Sequence, residues 1–332
     1  MSIYGTPQPV TLTHVIPGWK YQSFASALSP DGKLVAVANH PATKDGAYFI
    51  SLWDTHTGEQ LRTLEVPEAK EGFIGFVFSP DSRWLALAGF CNVFVVDVAT
   101  GLQRRALVVR ADPRDDPKLK SGLSDLVALT FYVAGMSFSP DSRLLAVTNP
   151  YSLQVWDVTR GERLNQLTRT MDETEKFGDA VFTSDGRWLA ALQSVDTTTK
   201  PWLQWRLVIY DPHTLRPLRS GPPSATFVRM LSGTGSQVVT LNQDSDNHHD
   251  FNIWDAETLK LIRSSRMELS ESYYPVGFNN DGRWMASVKD ENSIVISDLE
   301  TGRVTATLPG VPFRWLAPVQ KPQEDRISHS NH

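Results

Sequence analysis

The side chains that could do chemistry in this chain are few, and most of them stand in one stretch. Between Gln243 and Asp250 the sequence places Asp244, Asp246, His248, His249 and Asp250 in a single polar run. Carboxylates and imidazoles at that density can ligate a divalent cation. The run lacks the mid-loop glycine and terminal glutamate of a helix-loop-helix calcium site, and no second ligand set accompanies it. It therefore reads as a solvated polar loop, with no metal expected. Cys91 is the only cysteine, which excludes an intramolecular disulfide and a cysteine-rich zinc centre. Gly-x-Ser-x-Gly, His-Glu-x-x-His and a glycine-rich phosphate loop are absent, so neither a nucleophile nor a cofactor site is written into the chain. A site assembled from distant loops is the alternative, and it requires His40, Asp244, Asp246, His248 and His249 to supply at least three converging ligands.

A second group of residues is suited to contact and not to catalysis. Trp202 and Trp205 form one aromatic pair, and Tyr273 and Tyr274 form another. Aromatic side chains dominate binding energy where they become desolvated. Arg110, Arg114 and Lys118 lie in a charged stretch and can steer a partner, and Asp244 and His248 add polar contacts from the run above. These nine residues are the candidate partner-binding set.

The elements that must position them come from internal repetition. A short turn phrase begins at Ser29, Ser79, Ser139, Thr183, Gly233 and Asn279, reading SPDG, SPDS, SPDS, TSDG, GTGS and NNDG. Apolar runs flank it, such as Phe73 to Phe78 before and Trp84 to Ala88 after. Two such runs joined by a Pro, Asp, Gly or Ser turn make a hairpin. A third run ends in an aromatic or apolar residue followed by Asp: Trp53-Asp54, Val96-Asp97, Trp156-Asp157, Tyr210-Asp211, Trp254-Asp255 and Ser297-Asp298. A second turn and a fourth run then follow. Each unit is a four-stranded antiparallel meander with two apolar faces, and radial packing of such units covers both faces.

From about residue 20 to 309 this order of turn, strand and Trp-Asp mark resembles the WD-repeat β-propeller family. The resemblance implies an all-β fold of six four-stranded antiparallel blades. It also implies that Trp53, Trp156 and Trp254 are buried structural residues. Family repeats often carry a Gly-His pair whose His joins a hydrogen-bond network within the blade, whereas this chain reads Gly18-Trp19, Gly72-Phe73 and Gly178-Asp179. Without that His, apolar packing must hold the blades, and the Asp after each aromatic is expected to cap its own turn. Val10 to Ile16 reads as an outer closing strand. Alternatively it joins Phe313 to Val319 in a partial seventh blade. The propeller is expected to span 1–319, with 320–332 a polar disordered tail.

In this topology the two compact turns of every unit share one rim, and the connections after strands two and four share the other. The extra length of the repeats falls on the second rim, in His40 to Tyr48, Arg110 to Thr130, Ser194 to Trp205 and Gln243 to Asp250. Asp116-Pro117 followed by Leu119, Leu123, Leu126 and Val127 reads as a short amphipathic helix, either plugging the ring or touching a partner.

Composition agrees with an ordinary globular protein: 332 residues, 41% hydrophobic and 21% charged. A formal net charge of -5 and the lack of a basic run argue against nucleic acid as the main partner. No apolar stretch approaches membrane-spanning length and no leader-like start is present, so a cytoplasmic setting without membrane contact is expected. The implied function is a non-catalytic protein-interaction scaffold without a cofactor, with protein partners on the rim of long connections. A lactonase-like propeller enzyme or small-ligand binder, with its site at the channel mouth, is the alternative.

Overall fold

The alternation of side chains along each apolar run explains how the chain can fold as a series of similar sheets. A computed structural model describes residues 26–39, 48–66, 75–89, 92–108, 133–169, 175–196, 203–223, 227–232, 235–243, 249–267, 274–278, 284–290, 293–298 and 303–309. In the first sheet β1 (Ser26–Leu28), β2 (Leu34–Asn39), β3 (Phe49–Asp54) and β4 (Gln60–Glu65) pair in that order. The second sheet holds β5 (Gly75–Phe78), β6 (Trp84–Ala88), β7 (Asn92–Asp97) and β8 (Gln103–Val108). The third holds β9 (Gly135–Phe138), β10 (Leu144–Asn149), β11 (Ser152–Asp157) and β12 (Glu162–Thr168). The fourth holds β13 (Phe177–Phe182), β14 (Leu189–Asp196), β15 (Leu203–Tyr210) and β16 (Pro217–Ser220). The fifth holds β17 (Phe227–Ser232), β18 (Gln237–Gln243), β19 (His249–Asp255) and β20 (Leu261–Met267). The sixth holds β21 (Tyr274–Phe278), β22 (Trp284–Asp290), β23 (Ser293–Asp298) and β24 (Arg303–Pro309). Every pairing is antiparallel, and six four-stranded sheets thus stand among the described residues.

Adjacent sheets meet through their first strands: β1 lies against β5, β5 against β9, β9 against β13, and β13 against β17. The fourth strands therefore form the outer edges. Successive residues of a strand point to opposite faces, and here each face packs on a different neighbour. In β6, Leu85 and Leu87 turn toward Ile50 and Leu52 of the first sheet, whereas Trp84 and Ala86 turn toward Leu145 and Trp156 of the third. The third and fourth sheets join through Leu153 and Val155 against Phe182 and Val208, and the fourth and fifth through Ile209 and Leu192 against Val238 and Ala256. Two-sided burial is why the middle strands read as continuous apolar runs. Each fully buried Leu, Val or Phe contributes about 1.5–3 kcal/mol of transfer free energy.

The compact turns are built by side chains that satisfy their own backbone. In the first turn Ser29 donates its hydroxyl to Asp31, accepts the N–H of Leu34, and Asp31 accepts the N–H of Lys33. Ser79-Asp81, Ser139-Asp141 and Thr183-Asp185 repeat the arrangement. In the second turn Asp54 accepts the N–H groups of His56 and Thr57, and Asp157, Asp211 and Asp255 serve their own turns in the same way. The two turns of one sheet are tied together: Thr55, Val98, Val158 and Ala256 donate to Lys33, Arg83, Arg143 and Ser236. That linkage places both turns on one rim.

Trp156 is buried, whereas Trp53 and Trp254 are half-buried, so the expectation of three buried tryptophans holds for one of them. Their indole N–H groups differ as well: Trp156 donates to Gln154 and Trp254 to Thr240. All six fourth strands carry a one-residue register shift opposite the residue before the Asp. In four sheets the extra residue is Leu61, Leu164, Leu218 or Ile262, and these are 55%, 44%, 40% and 52% exposed. The strand at Val10 to Ile16, the helix over 110–130, the strand at Phe313 to Val319 and the tail at 320–332 lie outside the described residues.

Candidate functional site

The rim opposite the compact turns is where the sheets differ from one another. In the fourth sheet β14 and β15 pair over eight residues each, from Leu189↔Tyr210 to Asp196↔Leu203. In the fifth, β18 and β19 pair as far as Gln243↔His249. Much of the extra length in Ser194 to Trp205 and Gln243 to Asp250 is therefore hairpin. The physical reason is visible at Leu203, Trp205 and Leu207, which keep a period of two and continue the strand past the point where the shorter hairpins turn.

Trp205 sits on that extension, opposite Ser194 and half-buried. Its ring lies on Gly178: a Cβ there would stand 2.8 Å from Cζ3 of Trp205 and 3.2 Å from Leu192. The aromatic thus packs on its own sheet. Tyr274 opens β21 with its backbone opposite Val288. His249 opens β19, and Asp250 follows it opposite Asn242. Trp202, Tyr273, Arg110, Arg114, Lys118, Asp244 and His248 lie outside the described residues, as do His40 and Asp246.

On the same rim, at the seam of the third and fourth sheets, is a cluster that the sequence does not announce. Glu175 forms an ion pair with Arg169 Nη2 at 3.0 Å and accepts hydrogen bonds from Gln193 Nε2 at 2.8 Å and from Arg206 Nη2. Arg169 follows the last strand of the third sheet, whereas Gln193 and Arg206 face each other in the fourth. Lys176 Nζ lies 4.3 Å from the centre of the Tyr151 ring, and Arg169 covers Phe177 at 5.6 Å. Nearby Tyr210 is buried, which pushes its hydroxyl up to about 12 against the opposing pull of Arg169 and Arg206. A carboxylate bound by two guanidinium groups and an amide clamps the third sheet to the fourth. The signal that would reveal it is register, because Gln193↔Arg206 pairing is what aims both side chains at Glu175.

Among the described residues no three His, Cys, Asp or Glu side chains are grouped to hold a metal ion. No helix among them is long and apolar enough to cross a membrane.

No family model matches the chain. An uncharacterized WD repeat-containing protein of Synechocystis sp. (strain ATCC 27184 / PCC 6803 / Kazusa) is 25% identical over 297 residues, covering 88% of this chain and 73% of that protein. Among solved structures, Kuenenia stuttgartiensis hydrazine synthase superposes with a TM-score of 0.60 over 93% of this chain and 91% of that one, at 15% identity. Its fold is propeller-like, and at that identity the likeness concerns fold alone. Together these likenesses suggest a WD-repeat β-propeller.

Proposed function

We propose that the chain is one six-bladed WD-repeat propeller acting as a non-catalytic platform for protein partners, which dock on the rim of long connections. The observation that carries this reading is the asymmetry between rims. Among the described residues, one rim carries turns built on a recurring Ser/Thr-Asp pair and Asp cap, and the other carries the extended β14–β15 and β18–β19 hairpins. Function on a shared fold resides in what the fold does not itself require. A WD repeat-containing relative supports the family, and a propeller-like neighbour supports the architecture.

In this proposal the propeller occupies 1–319, the six sheets close into a ring, and 320–332 is a tail. Trp202, Trp205, Tyr273 and Tyr274 are the aromatic anchors, with Arg110, Arg114, Lys118, Asp244 and His248 around them. Capture of partners from source lysate by the full chain, followed by affinity measurements on variants, tests it. Trp202→Ala or Tyr274→Ala should weaken binding by more than about 1 kcal/mol. Thr57→Ala, on the opposite rim, should leave affinity intact. The reverse pattern would mean that the compact rim is the docking face.

A further inference from the structure

One hydrogen-bonding device recurs where the compact turns of neighbouring sheets meet. The fourth residue of the first turn has a left-handed backbone in four sheets, with φ of 72° at Gly32, 60° at Ser82, 62° at Ser142 and 72° at Gly186. That conformation is strained for any residue with a Cβ and costs glycine nothing. Two of the four positions nevertheless hold serine. In both, the hydroxyl reaches across the seam: Ser142 Oγ accepts the N–H of Asp81 at 3.1 Å, and Ser82 Oγ accepts the N–H of Asp31 at 3.3 Å.

The other seams solve the same problem without that serine. Between the fourth and fifth sheets Gly235 O accepts from Asp185 N at 3.1 Å and from Ser184 Oγ at 3.2 Å. Between the third and fourth, Gly186 faces the Pro140 ring with no side chain to offer, and a cross-seam bond runs between inner strands instead, from Phe182 N to Ser137 Oγ at 3.0 Å. Serine is found where its hydroxyl is the acceptor.

We propose that Ser82 and Ser142 are inter-sheet latches, held in a conformation better suited to glycine because their hydroxyls fix the position of the preceding sheet's turn. The carboxyl groups of the latched turns agree with this. Asp31 is held below its ordinary range chiefly by Ser29 and the Lys33 amide, with Ser82 adding to the effect. At Asp81 burial pushes the other way and is outweighed by Ser79, the Arg83 amide and Ser142. The latch makes the compact rim a linked belt that sets sheet spacing, and it stands independently of where partners bind.

Residue-resolved amide hydrogen exchange on the full chain, combined with thermal unfolding, tests it. In Ser142→Gly the Asp81 amide, 61 residues away, should exchange about tenfold faster, the equivalent of one lost hydrogen bond. The unfolding midpoint should stay or fall although the left-handed strain is gone. Ser142→Ala, which keeps the strain and loses the hydroxyl, should unfold at the lowest temperature of the three proteins. Should the buried Ser142 variants fail to fold, Ser82→Gly reads the same effect at the Asp31 amide from a less buried position. A raised midpoint in the glycine variant together with unchanged exchange at the aspartate amide would overturn the proposal.

Discussion

The two rims of this molecule use the same strands and reach opposite solutions for their polar groups. On the compact rim the described first turns of four sheets repeat one local program, and turns are then joined across seams: Arg62 donates to Thr100 O, Asn165 to His213 O, and Arg187 lies 3.5 Å from Glu257. On the other rim the described hairpins differ in length, from the eight-residue pairing of β14 and β15 to the five-residue pairing of β6 and β7. Their best-described contact, the Glu175 clamp, occurs at one seam and draws on four side chains that follow no repeat. Repetition marks the rim that the fold itself requires. The irregular rim is where length and chemistry were left open to vary.

If the comparison is right, stability should be concentrated at the turn end of the strands. Trp156→Ala, which removes a buried ring at that end, should cost about 3–5 kcal/mol in denaturant unfolding. Trp53→Ala should cost less, because Trp53 is half-buried. Equal losses for the two would show that the seam and not the single ring sets the energy.

Acid should act on the same rim. The carboxyls of Asp31, Asp54, Asp81, Asp157, Asp185, Asp211 and Asp255 all lie below the ordinary value of 3.8, because turn hydroxyls and amides bond their charged forms. Folded values lower than unfolded ones mean that this stabilisation is complete above the ordinary range and is lost as pH falls through the folded values. The urea midpoint should therefore be flat near neutrality and drop progressively below about pH 5. A midpoint unchanged down to pH 3 would remove the turns from the account.

On the irregular rim the expected effects are smaller. Gly178→Ala forces the Trp205 ring to move and should cost about 1–3 kcal/mol, with a shift in tryptophan emission that reports the displaced ring. Glu175→Gln removes the charge between Arg169 and Arg206, all three of which are partly exposed, and should change stability by no more than about 1 kcal/mol. A loss as large as that of Trp156→Ala would make the clamp a structural keystone and blur the distinction between rims.

Whatever is local was readable from the residues. The Ser-Pro-Asp turns, the apolar runs and the Asp caps each depend on neighbours within a few positions, and among the described residues they lie where the sequence places them. What depends on register was not readable. Ser142 meets Asp81 and Ser137 meets Phe182 only after the sheets dock, across 61 and 45 residues. The Ser194 to Trp205 segment reads as extra connection because the fourth repeat is longer than its neighbours, yet part of that length is paired backbone, from Ser194↔Trp205 to Asp196↔Leu203. Leu215 and Leu259 likewise adopt left-handed turns at φ of 54° and 56°, where Gly58, Gly101 and Gly161 serve in other sheets, a substitution compatible with the burial of Leu215.

The extra residue on every fourth strand bears on how this molecule behaves toward copies of itself. A flat outer edge would offer a row of amide and carbonyl groups to any passing strand, and a molecule with several such edges could polymerise in several directions. The one-residue irregularity bends each edge near the same height and breaks the ladder that an added strand would need, while Pro217 removes a donor from the shortest of these edges. The backbone itself thus limits how an added strand could pair along these edges.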